Sequence, residues 1–147
     1  KKISLLFGCG GNRDQNKRFQ MGKIVSDYSD KIYLTDDNPR FENPEKIRRD
    51  VKKGIKNQKL FEISDRSIAI SKAIQNLDSG EILLVAGKGH EKIQDLGKKK
   101  ISSFLLPWSF RPAGRGDIKQ FIQVDLQFHI PVQKGVIMQL EYSGSIH

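Results

Sequence analysis

Ile82-Leu83-Leu84-Val85-Ala86-Gly87-Lys88-Gly89-His90-Glu91 opens with an unbroken apolar run and passes straight into a glycine-rich polar turn. So short a run is the length of a strand, and strands covered by helices on both faces read in this way. The arrangement recurs at Ile3 to Phe7, which leads into Gly8-Cys9-Gly10-Gly11-Asn12-Arg13-Asp14. It recurs again at Lys31 to Thr35, which leads into Asp36-Asp37-Asn38-Pro39-Arg40.

Helical patterns separate these strands. Met21, Ile24, Val25 and Tyr28 recur at helical spacing, and Asn43 before Pro44 and Glu45 is a helix-start signal. That second helix is predicted to run to about Ile55, with Gly54 near its end. Lys59 to Ile63 reads as a short strand, and Ser64 or Asp65 can cap a helix carrying Ile68, Ala69, Ala73, Ile74 and Leu77. Ile93 to Leu96 and Lys100 to Phe104, joined through Gly97, read as a β-hairpin. The alternation predicts an α/β fold: a Rossmann-like, mostly parallel sheet flanked by helices, with a terminal β-hairpin. It stops near Leu105, so residues 1–104 are expected to form the domain and residues 105–147 an irregular or β-leaning tail. Within that tail, Phe121 to Ile130 and Gly135 to Tyr142 alternate as strands do.

Composition narrows the functional classes. The 147 residues are 37% hydrophobic and 29% charged, which suits one soluble domain, and no apolar run approaches the ~20 residues of a membrane span. Cys9 is the only cysteine, which excludes an intramolecular disulfide and agrees with a cytoplasmic location. The net charge of +9 invites a stand-alone basic nucleotide- or nucleic-acid-binding module as the alternative function. Against it, Arg48, Arg49, Lys52, Lys53 and Lys56 are interleaved with Ile47, Val51 and Ile55, as on the solvated face of a helix. No cluster has metal-site spacing.

Each of the three loops follows a strand's carboxyl end, the edge where open α/β sheets bind ligands. The first lacks the spacing of a dinucleotide fingerprint, because Arg13 stands where its last glycine would be. Arg13 either projects its planar fork toward a carboxylate or pairs with Asp14. In the second, Asp37 can accept from an ammonium, Arg40 can clamp a carboxylate and Asn38 can do either, on a turn shaped by Pro39. An Asx-turn leading to the Asn43 cap is the plainer alternative. In the third, Glu91 can meet an ammonium or stand as a surface carboxylate, and Gly-x-x-x-x-Gly-Lys-Ser/Thr is absent.

Taken in order, Gly10-Gly11-Asn12-Arg13-Asp14, Lys17-Arg18, Asp37-Asn38-Pro39-Arg40 and Gly87-Lys88-Gly89-His90-Glu91 closely resemble the Mur ligase family over residues 1 to about 104. Two departures are Phe19, where the family commonly has proline, and the segment after Phe104. The resemblance implies the amino-acid-binding domain of a cytoplasmic, ATP- and Mg2+-dependent amide ligase of peptidoglycan synthesis. Such a ligase adds meso-diaminopimelate to UDP-MurNAc-L-Ala-D-Glu, whose carboxylate ATP activates as an acyl phosphate. It further implies that Arg13, Asp37, Asn38, Pro39, Arg40, Gly87 and Glu91 surround meso-diaminopimelate. Arg40 and Asn38 would hold the distal carboxylate, while Glu91 and the Gly87 carbonyl would receive the distal ammonium. The nucleotide and the UDP-sugar would bind to other domains, so the chain alone is expected to bind no ATP and to ligate nothing. Neither nucleic acid nor membrane is expected as a partner.

Overall fold

The computed structural model describes residues 2–56, 59–88 and 93–102, and the strand backbone at 120–124. Its elements alternate as the sequence predicts: β1 (Ile3–Phe7), α1 (Asn16–Tyr28), β2 (Lys31–Leu34), α2 (Pro44–Lys52), β3 (Lys59–Glu62), α3 (Arg66–Gln75) and β4 (Ile82–Ala86). The hairpin β5 (Ile93–Asp95) and β6 (Lys100–Ser102) follows, and then β7 (Gln120–Val124).

The main sheet has the order β3-β2-β1-β4-β7, with every pair parallel, and β5-β6 form a separate antiparallel pair. Period-two alternation sends side chains of each central strand to opposite faces. On β1 and β2, Leu5, Phe7, Ile32 and Leu34 pack with Val25 of α1 and with Ile47 and Val51 of α2. Leu6 and Tyr33 pack on the other face with Ala69, Ile70 and Ala73 of α3. Chain progression therefore reverses between β1 and β4, and the crevice beyond their carboxyl ends is the place where such sheets bind ligands.

Local chemistry explains the helix limits. Asn43 caps α2 by accepting from the backbone N–H groups of Glu45 and Lys46, with Pro44 at the first position. Asp65, rather than Ser64, caps α3 by accepting from Ser67 and Ile68. α2 ends at Lys52, a turn before the expected Ile55. There the Gly54 Cα hydrogens face α1 so closely that an added Cβ would stand 2.0 Å from the Phe19 carbonyl oxygen.

One expectation is corrected. Tyr28 is exposed, whereas Arg18, Gly22 and Ser26 join Val25 on the buried side of α1. The basic face of α2 is solvated, as expected, with Arg49 and Lys53 exposed, and it is also ion-paired. Arg48 bridges Asp36 and Glu62, Lys52 reaches Glu62 at 2.5 Å and Lys53 reaches Asp50 at 2.7 Å. At the opposite end of the sheet Lys31 donates to Asp78 and Glu81, each at 2.8 Å, and Ser4 donates to Glu81 at 2.7 Å. β7 arises from the segment set apart as the tail and pairs with β4 along Ile82 to Ala86.

Candidate functional site

The loops after β1, β2 and β4 meet at the carboxyl edge of the sheet, where polar groups of their described residues hold one another. Gly11 donates its backbone N–H to the Asn38 carbonyl at 2.8 Å, and Arg40 Nη1 donates to the Gly11 carbonyl at 2.6 Å. Gly11 is required by packing, since an added Cβ would stand 1.9 Å from the Pro39 carbonyl oxygen. Asn12 accepts from the Phe41 backbone and donates its own N–H to Glu42. Arg18, 2% exposed, grips both Glu42 oxygens at 2.9 Å and faces Asp50 at 3.4 Å. The arginine beside Lys17 is thus a structural brace between α1, the second loop and α2. Its fork and Asn12's backbone N–H hold the Glu42 carboxyl below its ordinary range.

The hairpin completes the enclosure. Asp95 donates its N–H to Asn38 Oδ1 at 2.8 Å and accepts from the Arg40 N–H at 3.1 Å, while Gln94 Nε2 donates to the Asp37 carbonyl. Gly97, at φ +79°, lies against the Arg40 carbonyl, where a Cβ would come to 2.6 Å. Arg40 itself sits at φ +53°, a left-handed conformation held by bonds on both of its sides.

The third loop turns inward. Lys88, 6% exposed and at φ +62°, places Nζ 2.5 Å from Asn38 Oδ1, 2.8 Å from the Ile93 carbonyl and 3.5 Å from Asp37 Oδ1. That Asp37 oxygen is buried and accepts no hydrogen bond among the described residues. Beneath it Arg66, also buried, donates from Nη2 to the carbonyls of Ala86 and Gly87 at 3.0 and 3.2 Å. Burial pushes the Arg66 guanidinium below its ordinary value, with the Asp37 charge acting against that shift.

Of the residues singled out from the sequence, Asp37, Asn38, Pro39, Arg40 and Gly87 lie near one another at the carboxyl edge of the sheet. Arg13 is exposed on the first loop, with its Cγ 4.0 Å from where a Gly10 Cβ would stand, and it forms no ion pair with Asp14. Asp14 instead accepts from the Asn16 backbone at 3.0 Å as α1 begins. Glu91 and His90 lie outside the described residues. The Gly87 carbonyl already accepts from Arg66, which leaves it one lone pair for a ligand ammonium. Lys88, Arg66, Gln94 and Asp95 escaped the sequence reading as contributors to this site. Lys88 carried a signal, because its motif has a lysine between two glycines at a strand end. Cys9 is a packing residue: burial pushes its thiol up to about 12, and Sγ lies 3.4 Å from Met21 Sδ.

What the arrangement offers is a set of opposite charges on a rigid floor. Asp37 supplies a negative oxygen with acceptor capacity, and Arg40 supplies Nε and Nη2 donors that have no acceptor among the described residues. A zwitterion matches that pattern.

Comparison with known proteins adds a family. Residues 1–89 match the family model described as Mur ligase, glutamate ligase domain. The chain is 51% identical over 100 residues to the UDP-N-acetylmuramoyl-L-alanyl-D-glutamate--2,6-diaminopimelate ligase of Rickettsia bellii, covering 68% of this chain and 21% of that protein. It is 50% identical over 95 residues to the ligase of the same name from Chlorobaculum tepidum, covering 65% and 19%. A solved structure of a ligase of that name superposes with a TM-score of 0.65 at 39% identity, over 69% of this chain and 21% of that one. The chain thus spans about a fifth of the length of the relatives it matches.

Proposed function

The chain belongs to the Mur ligase family, and from that membership we propose that it is the domain presenting meso-diaminopimelate in an ATP-dependent amide ligase of peptidoglycan synthesis. The observation that carries the substrate is the crevice between the second and third loops. There a buried Asp37 oxygen without a hydrogen bond among the described residues lies on the same turn as an anchored Arg40. Asp37 receives an ammonium, Arg40 and Asn38 hold the distal carboxylate, and Pro39 keeps the turn closed. Arg13 on the first loop adds a second guanidinium, while Glu91 and the Gly87 carbonyl receive the distal ammonium.

No side chain of this domain does covalent chemistry in this reading. It holds one end of the amino acid so that the other amine is aimed at the activated D-glutamate carboxylate of UDP-MurNAc-L-Ala-D-Glu. Positioning of this kind supplies a large part of the rate gain of a bimolecular reaction. The described residues contain no group of three or more His, Cys, Asp or Glu able to hold a metal, and the sequence has no phosphate loop. In this reading ATP and Mg2+ bind to other domains of the ligase, and no step in this domain runs through them. No helix among the described residues is long and apolar enough to cross a membrane.

The test is a domain exchange: this chain replaces the matching domain of the Rickettsia bellii ligase, and ATP-dependent consumption of meso-diaminopimelate is assayed. Activity is expected from the chimera and none from the purified chain alone. A correctly folded chimera that binds the UDP-sugar and ATP but never consumes diaminopimelate overturns the reading.

A further inference from the structure

We infer that Lys88 is a positioning residue, whose ammonium fixes the side-chain amide of Asn38 as a donor and thereby sets that part of the crevice to recognise a carboxylate. The sequence leaves Asn38 ambiguous, because an amide offers a carbonyl oxygen to an ammonium as readily as an NH2 group to a carboxylate. Two contacts from different parts of the chain remove the ambiguity. Lys88 Nζ approaches Oδ1 to 2.5 Å, and the Asp95 backbone N–H reaches the same oxygen at 2.8 Å. Both groups can only donate, so the atom they share must be the oxygen. A flipped amide would turn its NH2 against an ammonium and an N–H at once. With Oδ1 turned to two donors, the amide turns its Nδ2 group away from Lys88 and Asp95.

Lys88 is itself built for this task. Its backbone lies at φ +62°, a region that side-chain-bearing residues seldom enter, and its ammonium is buried among Asn38, the Ile93 carbonyl and Asp37. Such strain persists only where surrounding contacts hold it, and it concentrates at functional sites. The glycine before it, at φ +77°, turns the chain off β4 so that the lysine points down into the crevice instead of out to solvent. Lys88 also stands 3.5 Å from Asp37, so one ammonium orients the carboxylate-recognising amide and faces the ammonium-recognising carboxylate. The polarity of the crevice is therefore set from below. Asp37 serves an ammonium of the ligand, while Asn38 and Arg40 serve a carboxylate.

The identity of the ligand rests on the proposed function, but the orientation of the amide does not, and the experiment separates the two. In the free chain, proton-proton NOEs are measured between the Asn38 Hδ2 pair and the Asp95 amide proton, for wild type and Lys88→Met. The wild type is expected to show no short Hδ2–Asp95 contact, and Lys88→Met is expected to show one as the amide begins to flip. meso-Diaminopimelate and L-lysine are then titrated against wild type, Lys88→Met and Asn38→Asp. Lys88→Met should lower the preference for meso-diaminopimelate by about tenfold, as expected for loss of one charge-assisted bond to the ligand. Asn38→Asp keeps the acceptor that Lys88 and Asp95 use, so it keeps the fold even if Lys88→Met does not. It should weaken meso-diaminopimelate at least about tenfold relative to L-lysine. A short Hδ2–Asp95 contact in wild type, or tighter binding of meso-diaminopimelate by Asn38→Asp, overturns the inference. So does a Lys88→Met chain in which the amide signature and the preference are both unchanged. A wild type that does not distinguish the two amino acids counts against the diaminopimelate reading, and the NOE pattern then decides the role of Lys88 by itself.

Discussion

Arg40 Nη1 donates to the backbone carbonyl of Gly11 at 2.6 Å, so the guanidinium on the second loop is anchored by the first. The anchor uses one corner of the fork and leaves the Nε and Nη2 donors without an acceptor among the described residues. A side chain held in this way meets a ligand with its entropy already spent, which favours discrimination by geometry over attraction by charge alone.

Arg40 should accordingly decide between meso-diaminopimelate and lysine, which share a long chain and two amines and differ in the distal carboxylate. An unpaired charged partner in a closed site costs on the order of 1.5–3 kcal/mol, so lysine should be disfavoured roughly tenfold to a few hundredfold. In a ligase carrying this domain, Arg40→Ala is expected to erase most of that ratio of catalytic efficiencies, and Arg40→Lys to restore only part of it. An unchanged ratio in Arg40→Ala removes Arg40 from the specificity argument.

Gly11 is predicted to be irreplaceable for a different reason from Gly80. A methyl group at Gly11 would collide with the Pro39 carbonyl at 1.9 Å, whereas Gly80, at φ +73°, has nothing within 4 Å of an added Cβ. Gly11→Ala should cost about 1–3 kcal/mol and disturb the crevice, and Gly80→Ala about 1 kcal/mol with binding unchanged. Denaturant titration of the two variants checks the order, and equal costs would show that the first loop yields easily.

The Arg18–Glu42 brace should appear in the acid limb of stability. Arg18 holds the folded-state value of Glu42 below its ordinary one, so the pair's contribution is fully present above the unfolded glutamate value of about 4.3. It is lost as pH falls through the lower folded-state value. Arg18→Met should destabilise the chain at neutral pH by about 3 kcal/mol and make the acid limb below about pH 4.5 shallower. Calorimetric midpoints across that range test this, and parallel profiles for variant and wild type would show that the brace contributes nothing through protonation.

Removing residues 105–147 is predicted to leave a cooperative transition, because β4 keeps β1 as its partner and both helical layers pack on strands before that point. β7 covers the far edge of β4, so the midpoint should fall even though folding survives. A broad, non-cooperative melt of the shortened chain would place the boundary beyond β7.

The three strand-loop junctions and the hairpin were legible in the sequence because local rules write them. Apolar runs mark buried strands, Asn43-Pro44 marks a helix start, and glycines mark turns where a Cβ has no room. The motif residues could be named for the same reason. Their partners could not, because the bonds that define the crevice span long stretches of chain. Asn38 meets Lys88 across 50 positions and Asp95 across 57, and no periodicity encodes such a meeting.

The sequence by itself determined the alternating α/β fold, the convergence of three loops on one sheet edge and the kinds of charge available there. The tertiary structure alone decided that Arg18 braces loops, that basic residues of α2 are neutralised by Asp36, Asp50 and Glu62, and that Lys88 turns inward. The physical reason is that a residue's chemistry is local while its assignment is not. An arginine or an asparagine acquires its role only when packing puts a specific donor or acceptor within about 3 Å of it, and packing is settled by the whole chain at once.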